Sequence, residues 1–289
     1  MTIKHTLLTV VVGLIVVVSL AGQAVAQGDD STPFTRGLVD VGGYSLYLEC
    51  EGEGSPAVIL EAGLGQTGRT WINVQNDIAQ ETRVCSYDRA GIGGSDPSLL
   101  SPRPASVVAE ELHALLAAAG VDAPYVLVAH SYGGFYVRTF AALYPDEVVG
   151  MVLVDTANET DPLPVPDDAD PDEVMLNNRE GVTVGEWRDT TTSLQEARAE
   201  AGGPQFGDLP LIVLTAPAPR QPGETDEEYA AKEQDWINIQ SDLATISSNS
   251  VHTWVDDSGH FIQNDQPQLV IDAVLQVVQA VRDGRALAE

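Results

Sequence analysis

The sequence predicts an α/β fold, a mostly parallel sheet with helices on both faces and a small helical lid. Three observations carry this prediction. Short runs rich in β-branched residues recur along the chain, and several are apolar throughout, as strands covered on both faces must be. Segments of helical period lie between those runs, and that alternation builds parallel sheets. One long stretch, residues 156–207, breaks the rhythm: it has no convincing strand and is rich in Pro and Asp at "DPLPVPDDADPDE".

In chain order, residues 36–51, opening with "RGLVDVGGYSLYLE", alternate apolar residues on either side of Gly42-Gly43 and read as a β-hairpin. Strands are expected at residues 57–62, 82–88, 125–130, 148–155, 209–216 and 250–256. Helices are expected at residues 71–79, 106–119, 135–144, 226–246 and 267–281. The second of these is well punctuated, with Pro104 just before it and Gly120 just after. The long segment contains a further helical pattern near residues 184–199 and reads as a lid inserted at about 156–208, within a domain spanning 27–289. Connections of that length in a compact domain are functional or disordered.

Residues 1–26 read as a signal peptide. Lys4 precedes an apolar run from Leu7 to Leu20, and Ala24-Val25-Ala26 supplies the small-x-small pattern of a cleavage site. The run is shorter than the ~20 residues of a spanning helix, although the single Lys before it leaves a retained anchor open. The expectation is an exported protein with no stable membrane insertion after cleavage. The chain has 14 Lys and Arg against 43 Asp and Glu, a net charge of −29. Such a surface repels phosphate backbones and anionic headgroups, so no nucleic-acid partner is expected. "DRAGIGGSD" lacks the glycine spacing of a dinucleotide loop at the head of a helix, and metal ligands are not clustered; neither metal nor cofactor is expected.

The chemistry is concentrated at "LVAHSYGGFY" (127–136), where a buried strand runs into a helix through a cramped corner at Ser131. A serine hydroxyl gains reactivity when a base takes its proton and backbone N–H groups await the developing oxyanion. A sharp strand-to-helix turn can present it, provided the residues two before and two after are small. Ala129 and Gly133 occupy those positions. An ordinary serine in such a turn is the plainer reading, and the strand and helix around Ser131 favour the nucleophile.

The base is expected at His260, in the loop "DDSGHFIQNDQP" after the last strand, where it can reach back over the sheet edge. His5 leaves with the signal, His113 and His252 lie inside a helix and a strand, and His130 adjoins the serine and leaves the chain in another direction. The acid that orients the imidazole is assigned to Asp155, at the end of the sixth strand. Asp226 is the alternative, since the loop after the seventh strand has no earlier carboxylate than Glu224; Asp256 and Asp257 are poorer choices.

Taken together, "LEAGLG", "YDRAGIGGSD", "AHSYGG", "LVD" and "SGHFIQNDQP" resemble the α/β-hydrolase fold superfamily over residues 36–284. The resemblance implies an eight-stranded sheet with nucleophile, acid and histidine in that chain order. It implies an oxyanion hole made by the backbone N–H groups of Leu64 and Tyr132. Ala62-Gly63 stands where His-Gly is common, which leaves the backbone donor and removes a side-chain contact. In this architecture the second strand borders the fourth, so Cys50 and Cys85 are expected to form a disulfide; two buried thiols are the other reading. Asp88 and Arg89 are expected to brace the site, and Trp71 to pack.

The function so implied is a secreted serine hydrolase that cleaves carboxylic esters or related acyl compounds through an acyl-enzyme. Its partner is a small-molecule acyl substrate. A proline-releasing aminopeptidase shares the Ser-x-Gly-Gly corner and remains an alternative, as does a binding protein on a hydrolase scaffold. A dehalogenase is disfavoured because its nucleophile would be a carboxylate where Ser131 stands.

Overall fold

Eight strands form where the apolar runs predict them, in a computed structural model that describes residues 35–160, 168–174 and 180–287. Those residues fall within one unit, Pro33–Glu289. The expected signal peptide, 1–26, lies outside the described residues.

The strands are β1 (Arg36–Asp40), β2 (Ser45–Glu51), β3 (Ala57–Glu61), β4 (Val84–Tyr87), β5 (Tyr125–His130), β6 (Val148–Val154), β7 (Leu211–Thr215) and β8 (Ser250–Trp254). They make one sheet in the order β1-β2-β4-β3-β5-β6-β7-β8. Strand β2 runs antiparallel to β1 and β4, and every other pairing is parallel.

The helices are α1 (Gln75–Ile78), α2 (Ala105–Ala118), α3 (Gly133–Leu143), α4 (Val184–Ala201), α5 (Asp226–Leu243), α6 (Ile262–Asp265) and α7 (Pro267–Asp283). Period-two alternation explains why the central strands are apolar throughout. Leu127 and Ala129 of β5 pack with Leu112 and Leu115 of α2 and Phe140 of α3. Val126 and Val128 point the other way, onto Ile78 of α1 and Val274 and Val277 of α7. Each face is thus sealed by its own helices, and burying a side chain of this size contributes about 1.5–3 kcal/mol.

Cys50 and Cys85 stand directly opposite each other in the β2–β4 ladder and form a disulfide, with Cα atoms 4.1 Å apart. It closes a loop of 35 residues, which on chain-entropy grounds contributes about 3–4 kcal/mol.

Two expected helices differ in detail. Residues 71–79 form a 3-10 turn, Gly68–Trp71, followed by the short α1. The break falls at Val74 (φ −125°, ψ −29°), although Trp71, Val74 and Ile78, at i, i+3 and i+7, are all fully buried as one helix face would be. Residues 226–246 likewise divide into α5 and a 3-10 turn over the last three. Between β6 and β7, α4 is fixed by a reciprocal cap, Thr183 to Glu186 N–H and Glu186 to Thr183 N–H, and it ends at left-handed Gly202.

Candidate active site

Strand β5 delivers the chain into a strained corner. It ends at His130, Ser131 turns at φ 54°, and α3 begins two residues later. The Ser131 N–H donates to Val154 O of β6 at 3.2 Å, and the Ser131 carbonyl accepts from the N–H groups of Gly134 and Ala157, each at 3.1 Å. Close approach explains the small residues on both sides. A Cβ on Gly133 would stand 2.6 Å from the Ala62 carbonyl oxygen, and Ala129 is fully buried between β3 and β6.

At the neighbouring strand end Asp155 also takes a positive φ, 47°. Ser131 and Asp155 are the only non-glycine residues with positive φ among the described residues. Backbone held there costs on the order of 1–3 kcal/mol per residue, a cost found where geometry serves a site. Asp155 Oδ1 accepts the N–H of Ala216, just past β7, at 2.9 Å, while Oδ2 lies 2.6 Å from His260 Nδ1. His260 Nε2 is 3.0 Å from Ser131 Oγ. These partners assign the tautomer: Nδ1–H donates to the carboxylate, and Nε2 accepts from the serine hydroxyl. The acid is buried, 5% exposed, while the imidazole is 43% exposed and open to a substrate.

The structure therefore brings Ser131, His260 and Asp155 into one hydrogen-bonded chain. It places the alternative acid, Asp226, elsewhere: that residue opens α5, is 95% exposed and pairs with Arg220. Asp256 and Asp257 are exposed in the turn after β8.

Leu64 and Tyr132 flank the serine as expected. A Cβ on Gly63 would come within 3.1 Å of Ser131 Cβ, so the Gly63–Leu64 peptide runs beside Ser131. Among the described residues neither the Leu64 nor the Tyr132 N–H donates to a protein acceptor. Each belongs to a peptide unit whose carbonyl is tied down. The Ser131 carbonyl is held as above, and the Gly63 carbonyl accepts from Gln66 N–H at 3.1 Å and from Arg89 Nη2 at 2.6 Å.

Arg89, expected as a brace, is fully buried and paired with Glu61 and Glu180. Burial opposes its charge, but the carboxylates of Glu180 and Glu61 outweigh that and hold its pKa well above the ordinary value. Tyr87 donates to the same Glu61, whose own carboxyl is pushed up by burial against the pull of Arg89. Asp88 braces the adjoining loops by accepting from Gly68 N–H and Gly94 N–H, each at 2.8 Å. Trp71 is core. Trp187 of α4 packs on Tyr132 and Phe135, ring centroids 5.3 Å apart in both cases. A cavity of about 480 Å³ lined by Tyr47, Glu49 and Arg69 contains no member of the serine chain.

Sequence reasoning set His130 aside, yet its ring is fully buried against the active loop. Its Nε2 lies 2.8 Å from the His260 carbonyl oxygen, and its Nδ1 lies 3.2 Å from the Gln66 side chain. Burial, and after it the neighbouring His260 ring, pulls its pKa down to about 3. A neutral ring has one N–H, and the shorter contact assigns it to Nε2, so His130 fastens the His260 backbone to the end of β5. The unfolded chain takes up this proton near pH 6.5 and the folded chain only near 3, so stability present above pH 6.5 is lost as pH falls through that window, at about 1.4 kcal/mol per unit. Urea unfolding between pH 6.5 and 4.5 is expected to show wild type losing about 2 kcal/mol more than His130→Asn. Equal losses would mean that His130 is not held neutral.

A family model described as the alpha/beta hydrolase fold matches residues 56–275. An uncharacterised protein of Bacillus subtilis is 33% identical over 232 residues, covering 78% of this chain and 85% of that one. Several other curated relatives are matched over only 16–38% of their own length. Among solved structures, a candidate epoxide hydrolase from Pseudomonas aeruginosa superposes with TM-score 0.65 at 16% identity, covering 86% of this chain and 97% of that one. An esterase from Thermogutta terrifontis does so with TM-score 0.58 at 20% identity, covering 86% and 99%. With a family model matching residues 56–275, from β3 past the last strand, the chain belongs to the α/β-hydrolase fold family.

Proposed function

We propose that the protein is a serine hydrolase that cleaves carboxylic esters or related acyl compounds through an acyl-enzyme intermediate. The observation that carries this reading is the single line of contacts from Asp155 through His260 to Ser131, 2.6 Å and 3.0 Å long. Ser131 Oγ attacks the acyl carbon as its proton passes to His260 Nε2. The carbonyl oxygen takes the negative charge and is received by the Leu64 and Tyr132 N–H groups. Collapse expels the alcohol, which takes the proton from Nε2 and leaves the acyl group on Oγ. A water then follows the same path, giving a proton to His260 and releasing the carboxylic acid. Throughout, Asp155 keeps Nδ1 protonated and stabilises the imidazolium.

A protein with an elbow serine and a bound imidazole is a better fit to catalysis than to passive binding, because the strain at Ser131 serves no packing role that a glycine would not serve. The aminopeptidase alternative needs a free carboxylate to anchor a substrate amine. In the described part of the β6–β7 segment the buried carboxylates are each paired: Glu159 by Arg138 and Arg198, Glu180 by Arg89 through one of its two oxygens, and Glu186 by the N–H groups of Arg103 and Thr183. Ester cleavage is therefore the favoured reading, with the β6–β7 segment as lid. Export is proposed on the sequence of residues 1–26, and the Cys50–Cys85 disulfide suits an oxidising compartment.

A panel of p-nitrophenyl esters against prolyl and other aminoacyl amides tests the assignment. Esters are expected to turn over with a burst of one p-nitrophenol per chain. Preference for prolyl amides would give the site to the aminopeptidase reading.

A further inference from the structure

The two N–H groups beside Ser131 are held in different ways. In a trans peptide the C=O and the next N–H point in opposite directions across one rigid plane, so whatever fixes the oxygen aims the hydrogen. For Tyr132 the oxygen is fixed by backbone alone, through Gly134 and Ala157. For Leu64 the oxygen is that of Gly63, and its shortest partner is a side chain, Arg89 Nη2 at 2.6 Å. Arg89 Nη1 also donates to the preceding carbonyl, Ala62 O, at 2.7 Å. One planar guanidinium thus fixes two consecutive peptides of the loop that follows β3, a task that matches its forked donors and no single ammonium.

The fork is in turn positioned from two sides. Glu61, the last residue of β3, takes Nη1 from beneath. Glu180, which belongs to the β6–β7 segment, takes Nε at 2.6 Å and also pairs with Nη2. Glu180 is 1% exposed, and its second oxygen has no hydrogen-bond partner among the described residues. A buried carboxylate with one oxygen unsatisfied is costly, so its placement against Arg89 requires a return elsewhere.

We propose that Arg89 is a positioning residue for the oxyanion hole, aiming the Leu64 N–H at the reacting oxygen, and that Glu180 makes that aim depend on the β6–β7 segment. The inference rests on the serine-hydrolase reading above. It makes the hole a composite in which one donor is built into the elbow and the other is aimed by Arg89, itself held by Glu61 and Glu180. Substrate in its ground state gains little from the aim, because the donor is directed at the charge that develops during attack.

The test compares wild type, Arg89→Lys and Glu180→Gln with a p-nitrophenyl ester and with an alkyl trifluoromethyl ketone, which forms a tetrahedral oxyanion adduct on a catalytic serine. In Arg89→Lys, kcat and ketone affinity are expected to fall together by the same factor, about ten- to a hundredfold, with KM changed less than threefold. Glu180→Gln is expected to lower both in the same proportion to each other, by less. A purely structural role would lower the melting temperature and the amount of active protein without coupling kcat to ketone affinity. Full kcat and ketone affinity in Arg89→Lys, or a loss of one without the other, would overturn the inference. If Arg89→Lys does not fold, Glu180→Gln decides: full kcat and full ketone affinity there would overturn it. Ser131→Ala run alongside separates this from the parent reading. An inactive Ser131→Ala with fully active Arg89 and Glu180 variants removes the positioning role alone, whereas an active Ser131→Ala removes both.

Discussion

Ser131→Ala is expected to lower kcat for a p-nitrophenyl ester by about a million-fold and to leave the melting temperature within a few degrees of wild type. Among the described residues the hydrogen-bond partner of this hydroxyl is His260 Nε2, and the turn itself is closed by backbone hydrogen bonds. Alanine at φ 54° carries the same strain as serine, so stability should hardly change. The assay is steady-state hydrolysis beside a thermal melt. Retained turnover in the alanine variant would transfer the chemistry to another group.

Asp155→Asn is expected to cost about 10⁴-fold in kcat, and Asp226→Asn nothing measurable. The first effect follows from which oxygen does what. Asp155 Oδ1 accepts the Ala216 N–H and Oδ2 faces His260 Nδ1. An asparagine that keeps its oxygen on Ala216 turns its NH₂ toward Nδ1, which must then be bare. The proton moves to Nε2, and that nitrogen can no longer take one from Ser131. Asp226 has no route to this imidazole, being exposed at the start of α5 beside Arg220. Paired measurement of kcat for the two variants checks the ranking, and a larger loss in Asp226→Asn would move the acid.

The parts of this site that could be read in the sequence are those fixed by local rules. Small residues around Ser131 announced close strand–helix packing because Gly133 has no room for a Cβ beside Ala62 O. Asp155 could be placed because a strand end fixes its height at the sheet edge, whereas the Cys50–Cys85 pairing followed from the strand order that the family resemblance implies and that the β2–β4 ladder shows. What escaped was set by contacts between distant segments. The break at Val74 within residues 71–79 left no mark in the residue spacing, because Trp71, Val74 and Ile78 stand at i, i+3 and i+7 and are all buried, as one helix face would be. His130 was set aside on the direction its side chain leaves the strand, yet that direction carries it under the His260 backbone. Glu61 gave a faint signal, a carboxylate closing the apolar run "AVILE". Glu180 gave none, since it sits in an aperiodic stretch and its partner, Arg89, is 91 residues away.

The central claim is that His260 makes Ser131 a nucleophile, and active-site labelling with an alkyl fluorophosphonate tests it most directly. Peptide mapping by mass spectrometry is expected to find one adduct per chain, on the peptide bearing Ser131, formed far more slowly in His260→Ala and absent in Ser131→Ala. A folded wild-type protein that takes up no label, or labels another residue just as fast after Ser131→Ala, would contradict it.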